Sequence, residues 1–180
     1  MLTEDKPKLV APAGPQDHAD GPEGARVTVV EYGDYECPGC ASATQILHKL
    51  RERFGDDLRV VFRHFPMYSV HKAAGVAAQA AEAAAAQGKF WAMHDLLFTH
   101  QDDLADMDLG RLAIKADLDV YRFNDDLATE AHAPRVAEHV ESAKASGVTG
   151  TPTLFLNNTR FRGGIHIDEL RDDIESLLNA

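Results

Sequence analysis

The stretch RVTVVEYGDYECPGCASATQILHKLRERF, residues 26–54, decides the fold of this 180-residue chain. Residues 25–32 are a nearly continuous run of apolar and β-branched side chains, which predicts a strand buried on both faces. Residues 41–54 place apolar side chains three and four positions apart, which predicts an amphipathic helix. The only two cysteines of the chain, Cys37 and Cys40, lie between these elements. Two cysteines with this spacing, at a strand-to-helix junction, indicate a redox-active dithiol.

Composition predicts an ordinary globular protein with one domain-sized core. The formal net charge of -11 argues against nucleic acid or an anionic membrane as partner, because both require a basic surface. The N-terminal residues show no basic segment followed by an apolar one, and no apolar run reaches the roughly 20 residues of a membrane helix. These observations lead to the expectation of a cytoplasmic protein that does not bind membranes. There, an isolated cysteine pair is expected to be catalytic or metal-binding rather than a structural disulfide.

The order of predicted elements divides the chain into three parts. Residues 1–24 are rich in proline and glycine and are expected to form an arm. Strand, helix and strand follow, then a largely helical stretch, then two strands joined by a short turn and a final helix. The expected core is β-α-β followed by β-β-α, from residues 25–69 and 147–180, with an inserted helical block at residues 70–146.

Several motifs occur in a fixed order along this chain. Cys37-Pro38-Gly39-Cys40 follows the first core strand, with Glu31 six positions before the first cysteine. Phe62-Arg63-His64-Phe65-Pro66 ends the second strand, Phe90-Trp91-Ala92-Met93-His94-Asp95 lies in the helical block, and Gly150-Thr151-Pro152-Thr153 precedes the third strand. Together, from about residue 25 onward, they resemble the DsbA family of thioredoxin-fold disulfide oxidoreductases. The resemblance implies an α/β, thioredoxin-like fold with a helical insertion.

The resemblance also implies an activity and its partners. A protein of this family is an enzyme that exchanges disulfides with the cysteines of other proteins, using no cofactor beyond its own Cys37–Cys40 disulfide. The expected partners are cysteine-containing protein substrates and a redox partner, which is either the thioredoxin or glutathione system or a membrane oxidase. A monomer is expected. The dipeptide Pro38-Gly39 lacks the histidine of the strongly oxidising members, which favours a middle or reducing potential.

The two cysteines are expected to have different roles. Cys37 falls at the first turn of the predicted helix, where free backbone N–H groups and the helix dipole favour an anion. Because the thiolate is the attacking species in disulfide exchange, Cys37 is predicted to be the nucleophile. Cys40 lies one turn further on and is predicted to resolve the mixed disulfide. Pro38 suits the first helical position, where its missing N–H costs nothing.

Glu31 is an unexpected carboxylate within a buried strand. It is predicted to carry protons to and from Cys40 as a buried general base. The alternative is a structural carboxylate paired with Arg63 or Lys72. The offset of six residues, which matches the family, favours the functional role.

The loop around Thr151 and Pro152 is predicted to bind substrate together with Pro38 and Gly39. A cis Thr151–Pro152 bond exposes the preceding backbone groups, so that an extended substrate segment can pair with them like an added strand. An ordinary trans proline is the alternative, and base rates favour it for an isolated X-Pro bond. The resemblance favours the cis form.

Two other classes of function remain as alternatives. In the first, Cys37 and Cys40 are ligands in a non-enzymatic metal-binding or scaffold protein. A zinc site needs two further ligands, and no second cysteine pair exists. The spacing of the histidines does not recommend them, so no metal site is predicted. The second alternative is a glutathione-binding transferase or isomerase of DsbA type, in which a resolving cysteine such as Cys40 is generally absent.

Overall fold

The structure, a computed structural model, describes residues 8–180. Its centre is a five-stranded mixed sheet with the strand order β1-β3-β2-β4-β5. The strands are β1 (His18–Asp20), β2 (Val27–Gly33), β3 (Leu58–His64), β4 (Thr153–Leu156) and β5 (Thr159–Arg160). Strands β2 and β3 run parallel, and the other neighbouring pairs are antiparallel. The two long strands, β2 and β3, are buried almost throughout, as the apolar runs predict.

Within residues 8–180, seven α-helices connect and cover the strands. They are α1 (Pro38–Phe54), α2 (Ala74–Ala85), α3 (Phe90–Thr99), α4 (Gly110–Lys115), α5 (Val120–Ala128), α6 (Ala133–Ala145) and α7 (Ile167–Leu178). Five of them, α2 to α6, lie in sequence between β3 and β4, where the helical block is expected. This arrangement confirms the predicted α/β, thioredoxin-like fold with a helical insertion. No helix within residues 8–180 is long and apolar enough to cross a membrane.

The buried side chains of the described residues form three clusters around the sheet. Apolar residues of β2, β3 and β4 pack with α1 and α7 in one cluster, which includes Val29, Leu47 and Ile174. Tyr35 and Phe62 belong to a different cluster that continues into the alanine-rich helix α2 and its neighbours. Because these two aromatic residues come from the strand-to-helix turn and from β3, the helical region shares its core with the sheet beside the cysteines.

The N-terminal arm contributes a strand that the sequence did not predict. Strand β1 pairs with β3 at the edge of the sheet, although His18-Ala19-Asp20 has little β propensity. The buried Arg63 fixes this segment, because its guanidinium binds both carboxylate oxygens of Asp17 at 2.8 Å. Earlier in the arm, Lys8 forms a single bridge with Thr159. The first part of the arm, residues 1–7, lies outside the described residues.

Candidate active site

The two cysteines lie at the N-terminus of α1, directly after β2. We call residues 34–40 the dithiol turn. The backbone N–H of Cys37 donates to the carbonyl of Asp34 at 3.1 Å, and Cys37 itself occupies the N-cap position of α1. Pro38 is the first helical residue, as predicted. Helix α1 therefore begins at Cys37, the predicted nucleophile, and the first backbone N–H groups of the helix lie close to the Cys37 sulfur.

The environment of Cys37 favours its thiolate. The hydrogen bond with the Cys40 thiol makes the largest contribution, and it lowers the pKa of Cys37 to about 5 despite partial burial. The side chain of Thr151 and the backbone N–H groups of Gly39 and Cys40 act in the same direction. The sulfur also lies 3.5 Å from the carbonyl oxygen of Thr151. A thiol in such surroundings is ionised at neutral pH.

Cys40 has the opposite character. Its side chain is completely buried, and burial raises the pKa of its thiol far above the ordinary value. The hydrogen bond to Cys37 and the negative charges of Glu31 and Cys37 raise it further. Its sulfur accepts the backbone N–H of Asp34 at 3.4 Å. Both cysteines are in the dithiol form. The pair thus consists of a Cys37 thiolate and a Cys40 thiol that needs a base before it can react.

Glu31 is buried beneath the cysteines, and its carboxyl oxygen Oε1 has no hydrogen-bond partner among residues 8–180. Burial, and secondly the charge of Cys37, raises the pKa of Glu31 to about 8. The ion pair with Arg63 that was considered as an alternative is absent from the described part of the chain, where Arg63 binds Asp17. An unpaired buried carboxyl group is costly, so this residue is not explained by a structural ion pair.

The loop before β4 lies against the dithiol turn. The Thr151–Pro152 peptide bond is cis. A Cβ atom added to Gly39 would lie 3.0 Å from Cδ of Pro152 and 3.7 Å from the sulfur of Cys37. Pro38 and Gly39 are exposed, and Thr151 and Pro152 are partly exposed. The four residues predicted to bind substrate therefore surround the Cys37 sulfur on the accessible side.

Three residues at the site were not identified from the sequence. The side-chain amide of Gln101 donates to the carbonyls of Tyr35 and Cys37 at 2.8 and 2.9 Å, and so ties the helical region to the dithiol turn. Asp34, the first residue of the dithiol turn, and His71, which follows β3, form a pair at 2.7 Å. These residues are 37 to 66 positions from their partners, so no local sequence pattern indicates them.

A separate polar cluster lies between β1, β3 and α2. One carboxylate oxygen of Glu82 accepts hydrogen bonds from Nε2 of both His18 and His64 at 2.8 Å. Burial opposes ionisation of Glu82, but these hydrogen bonds hold its pKa far below the usual range. Within residues 8–180, these three side chains are the group with metal-ligand spacing, and neither cysteine belongs to such a group.

Comparison with known proteins identifies the family. The sequence profile described as thioredoxin matches residues 14–176, which is most of the chain. The chain belongs to this thioredoxin family. Among solved structures, BdbD from Bacillus subtilis is 27% identical and superposes with a TM-score of 0.81, covering 91% of this chain and 94% of that one. A thioredoxin-like oxidoreductase from Silicibacter pomeroyi is 28% identical with a TM-score of 0.74, covering 93% and 95% of the two chains.

The expected DsbA-like character of this thioredoxin-family protein is confirmed. The fold of α-DsbA1 from Wolbachia pipientis superposes with a TM-score of 0.80 at 21% identity, covering 95% of this chain and 94% of that one. Together with the family match, these neighbours support the coarse assignment as a thiol-disulfide oxidoreductase. They do not assign the individual site residues.

Several curated relatives are named as antiporters. A protein of Salinispora arenicola named Na(+)/H(+) antiporter NhaA 1 is 47% identical over 169 residues, which cover 93% of this chain and 26% of that protein. The chain thus spans about a quarter of the length of the curated relatives it matches. The antiporter name describes the longer proteins as a whole.

The predicted cytoplasmic location is wrong. The DsbA-like neighbours of this thioredoxin-family chain, BdbD, DsbA and ScsC, are extracytoplasmic proteins. The prediction relied on the lack of a recognisable export segment, and such a lack carries no physical information about where a folded domain works. The argument that a cytoplasmic location makes a structural disulfide between the two cysteines unlikely does not apply either.

Proposed function

We propose that the chain is a thiol-disulfide oxidoreductase that exchanges disulfides with the cysteines of other proteins. The observation that carries this proposal is the contrast between the two neighbouring thiols. The pKa of Cys37 is lowered to about 5, whereas burial raises that of Cys40 far above its ordinary value. One cysteine is therefore ready to attack, and the other is held back until the first has reacted.

The reductive direction proceeds in two balanced steps. The Cys37 thiolate attacks a substrate disulfide, forms a mixed disulfide and releases one substrate thiolate. Cys40 then loses its proton and attacks the Cys37 sulfur, which forms the Cys37–Cys40 disulfide and releases the second substrate thiolate. Two electrons pass from the enzyme to the substrate. The same steps in reverse oxidise a substrate dithiol, and the potential of the redox partner decides the direction.

Glu31 is proposed to accept the proton that Cys40 loses. Its carboxyl group is buried close enough for its charge to act on Cys40, and with a pKa of about 8 it exchanges protons near neutral pH. Because it stays neutral until well above the pKa of Cys37, it does not oppose formation of the Cys37 thiolate. The difference between these two pKa values fits a general base that acts only when Cys40 attacks the mixed disulfide.

The loop at Thr151 and Pro152 is proposed to hold an extended substrate segment beside Cys37, with Pro38 and Gly39 forming the other side. The Thr151 carbonyl already lies 3.5 Å from the Cys37 sulfur, so a chain paired there would place its own sulfur within reach. The helical block, residues 70–146, is proposed to shape access to this cleft, and the core is assigned to residues 25–69 and 147–180. A monomer with a separate redox partner completes the proposal. Ion transport is not part of it.

Trapping with Cys40→Ser tests the assigned roles. Without a resolving thiol, substrates should accumulate as disulfides to Cys37, which non-reducing gels and mass spectrometry detect. The Cys37→Ser variant is the matched control and should trap almost nothing. Equal trapping by both variants would contradict the assignment.

The metal-binding alternative is tested on the reduced wild-type protein. Within residues 8–180, no third His, Cys, Asp or Glu side chain joins the two cysteines at metal-ligand spacing. Elemental analysis after purification should therefore find no zinc or iron bound to the dithiol. Stoichiometric metal that is lost in both cysteine variants would favour the alternative.

A further inference from the structure

Three potential metal ligands meet where the arm strand β1, the sheet strand β3 and helix α2 come together. One carboxylate oxygen of Glu82 lies 2.8 Å from Nε2 of His18 and 2.8 Å from Nε2 of His64. The three ligand atoms all lie within 4.8 Å of one another. Glu82 is 64 and 18 positions from the two histidines, so the fold brings these side chains together and spacing along the sequence does not indicate them.

The cluster is almost closed to solvent. The side chains of His64 and Glu82 are 1% and 6% exposed, whereas His18 is 15% exposed and forms the accessible side. The ring of His18 stacks on that of Phe90 with centroids 3.8 Å apart, so packing fixes its orientation. Ligand side chains that packing already holds in place lose little conformational freedom when they bind a metal.

The protonation states of the buried members suit a cation. A metal binds neutral imidazole and ionised carboxylate. Hydrogen bonds from the two histidines keep the pKa of Glu82 far below its usual range although burial opposes this, so the carboxylate is ionised. Burial lowers the pKa of His64, which favours its neutral ring. The cluster thus places a negative charge between two imidazole nitrogens.

A third histidine beside the cluster has an unused hydrogen-bonding group. His139 is 3% exposed, and its ring stacks against that of His64 with centroids 5.3 Å apart. Its Nδ1 accepts the backbone N–H of His64 at 3.2 Å, so a neutral ring carries its hydrogen on Nε2. That Nε2 has no partner among residues 8–180. A buried donor without an acceptor is costly, and a metal-bound water at this cluster would supply the acceptor.

The donor atoms indicate which metal the cluster suits. Zinc binds imidazole nitrogen and carboxylate oxygen at about 2.0–2.2 Å in tetrahedral geometry, and a water can take a fourth position beside three protein ligands. Tetrahedral ligands at these lengths lie about 3.4 Å apart, so the two 2.8 Å contacts of Glu82 need to lengthen by roughly half an ångström. Calcium and magnesium prefer about six or more oxygen ligands, which these three side chains do not offer.

We propose that His18, His64 and Glu82 form a zinc site that joins the N-terminal arm to the sheet and to the helical block. The fourth ligand is a water that accepts the Nε2 hydrogen of His139. Strand β1 has little β propensity of its own, and a metal bound to His18 fixes it against β3 and α2. The site uses neither cysteine and no redox step, so the inference goes beyond the proposed function and does not depend on it.

Zinc titration of the full chain with both Cys37→Ser and Cys40→Ser tests the site. We call this protein the serine variant, and it is used because thiolates bind zinc themselves. After metal removal with a chelator, one zinc ion per chain should bind in competition with a chromophoric chelator. The midpoint of thermal unfolding should rise with zinc concentration, because a ligand that binds the folded state stabilises it. Calcium at the same concentrations should have neither effect.

Adding His18→Gln to the serine variant separates a metal site from a cluster that is only hydrogen-bonded. Glutamine retains an N–H donor for Glu82 but removes the imidazole ligand. Loss of an outer-shell partner already costs about 10–100-fold in metal affinity, so loss of a ligand should lower zinc affinity by about 100-fold or more. His132→Gln is the matched control, since His132 pairs with Asp126 at 3.1 Å and belongs to no group with metal-ligand spacing within residues 8–180. It should leave zinc affinity unchanged.

Nuclear magnetic resonance of the serine variant gives a readout that does not require the His18 substitution to fold. Zinc should shift the ring nitrogen signals of His18 and His64 and leave those of His132 in place. Equal zinc affinity with and without His18→Gln would overturn the inference. So would calcium binding as tight as zinc binding, or ring signals of His18 and His64 that do not move when zinc is added.

Discussion

Replacing Glu31 by glutamine isolates the effect of a buried carboxyl group on stability. The Glu31→Gln variant keeps the shape of the side chain but removes its titration. Burial raises the pKa of Glu31 from 4.5 to about 8 in the folded protein. A carboxyl group whose pKa is raised on folding contributes stability that is fully present below the unfolded pKa and is lost as pH rises through the folded value. The wild type should therefore lose stability relative to the variant between these two values.

The size of the effect follows from the shift. Each pKa unit corresponds to about 1.4 kcal/mol, so a shift from 4.5 to about 8 amounts to about 5 kcal/mol. The free energy of unfolding of the variant, minus that of the wild type, should rise by about this amount from about pH 4 to about pH 9. Most of the change is expected before the pH reaches the folded pKa, because each pH unit between the two pKa values changes the difference in the free energy of unfolding by about 1.4 kcal/mol.

Urea unfolding at a series of pH values, with both proteins in the reduced form in which Cys37 is a thiolate, measures this difference. Because both proteins contain the same histidines, the effect of histidine titration on the free energy of unfolding cancels in the difference between them. Glu52→Gln, which removes an exposed carboxylate from α1, is the control for loss of a surface charge. A difference for Glu31→Gln that stays within about 1 kcal/mol across the range would refute the reasoning, because it would mean that the folded protein keeps this carboxylate hydrated.

Two further perturbations follow from packing and charge. Gly39→Ala should lower the free energy of unfolding by about 1 kcal/mol and slow disulfide exchange, because its new methyl group would lie 3.0 Å from the ring of Pro152. Gly150→Ala is the control, since nothing lies within 4 Å of its added Cβ, and equal losses in thermal or urea unfolding would contradict the explanation. Arg63→Ala should cost about 3–5 kcal/mol, because it leaves the buried carboxylate of Asp17 without its cation. In urea unfolding, the double variant with Asp17→Ala should lose much less than the sum of the two single losses, and additive losses would argue against the pair.

The sequence was sufficient for those features that depend on neighbouring residues. The runs before and after the dithiol turn predicted β2 and α1, and Pro38 marked where the helix begins. Strand β2 and the start of α1 are local effects of backbone geometry and side-chain pattern. The contrast between the cysteines depends mainly on the hydrogen bond between their sulfurs and on the burial of Cys40, and their separate roles stay a prediction.

The remaining features depend on residues that are distant in sequence. Strand β1 forms where Arg63 binds Asp17, and no pattern in a proline- and glycine-rich arm indicates that contact. The pair of Asp34 and His71 joins residues on different elements, so spacing along the chain says nothing about it. For Glu31, the sequence left two roles open; Arg63 binds another carboxylate, and the catalytic role of Glu31 stays a prediction.

The edges of the sheet bear on how this protein could handle its substrates. Strand β1 has three residues and β5 has two, and the short bridge at Lys8 lies beside β5. Short edge strands offer little free backbone for a foreign chain to extend the sheet. Under the proposed function, a substrate chain would bind next to the Cys37 sulfur and would find little backbone at the sheet edges on which to add a further strand.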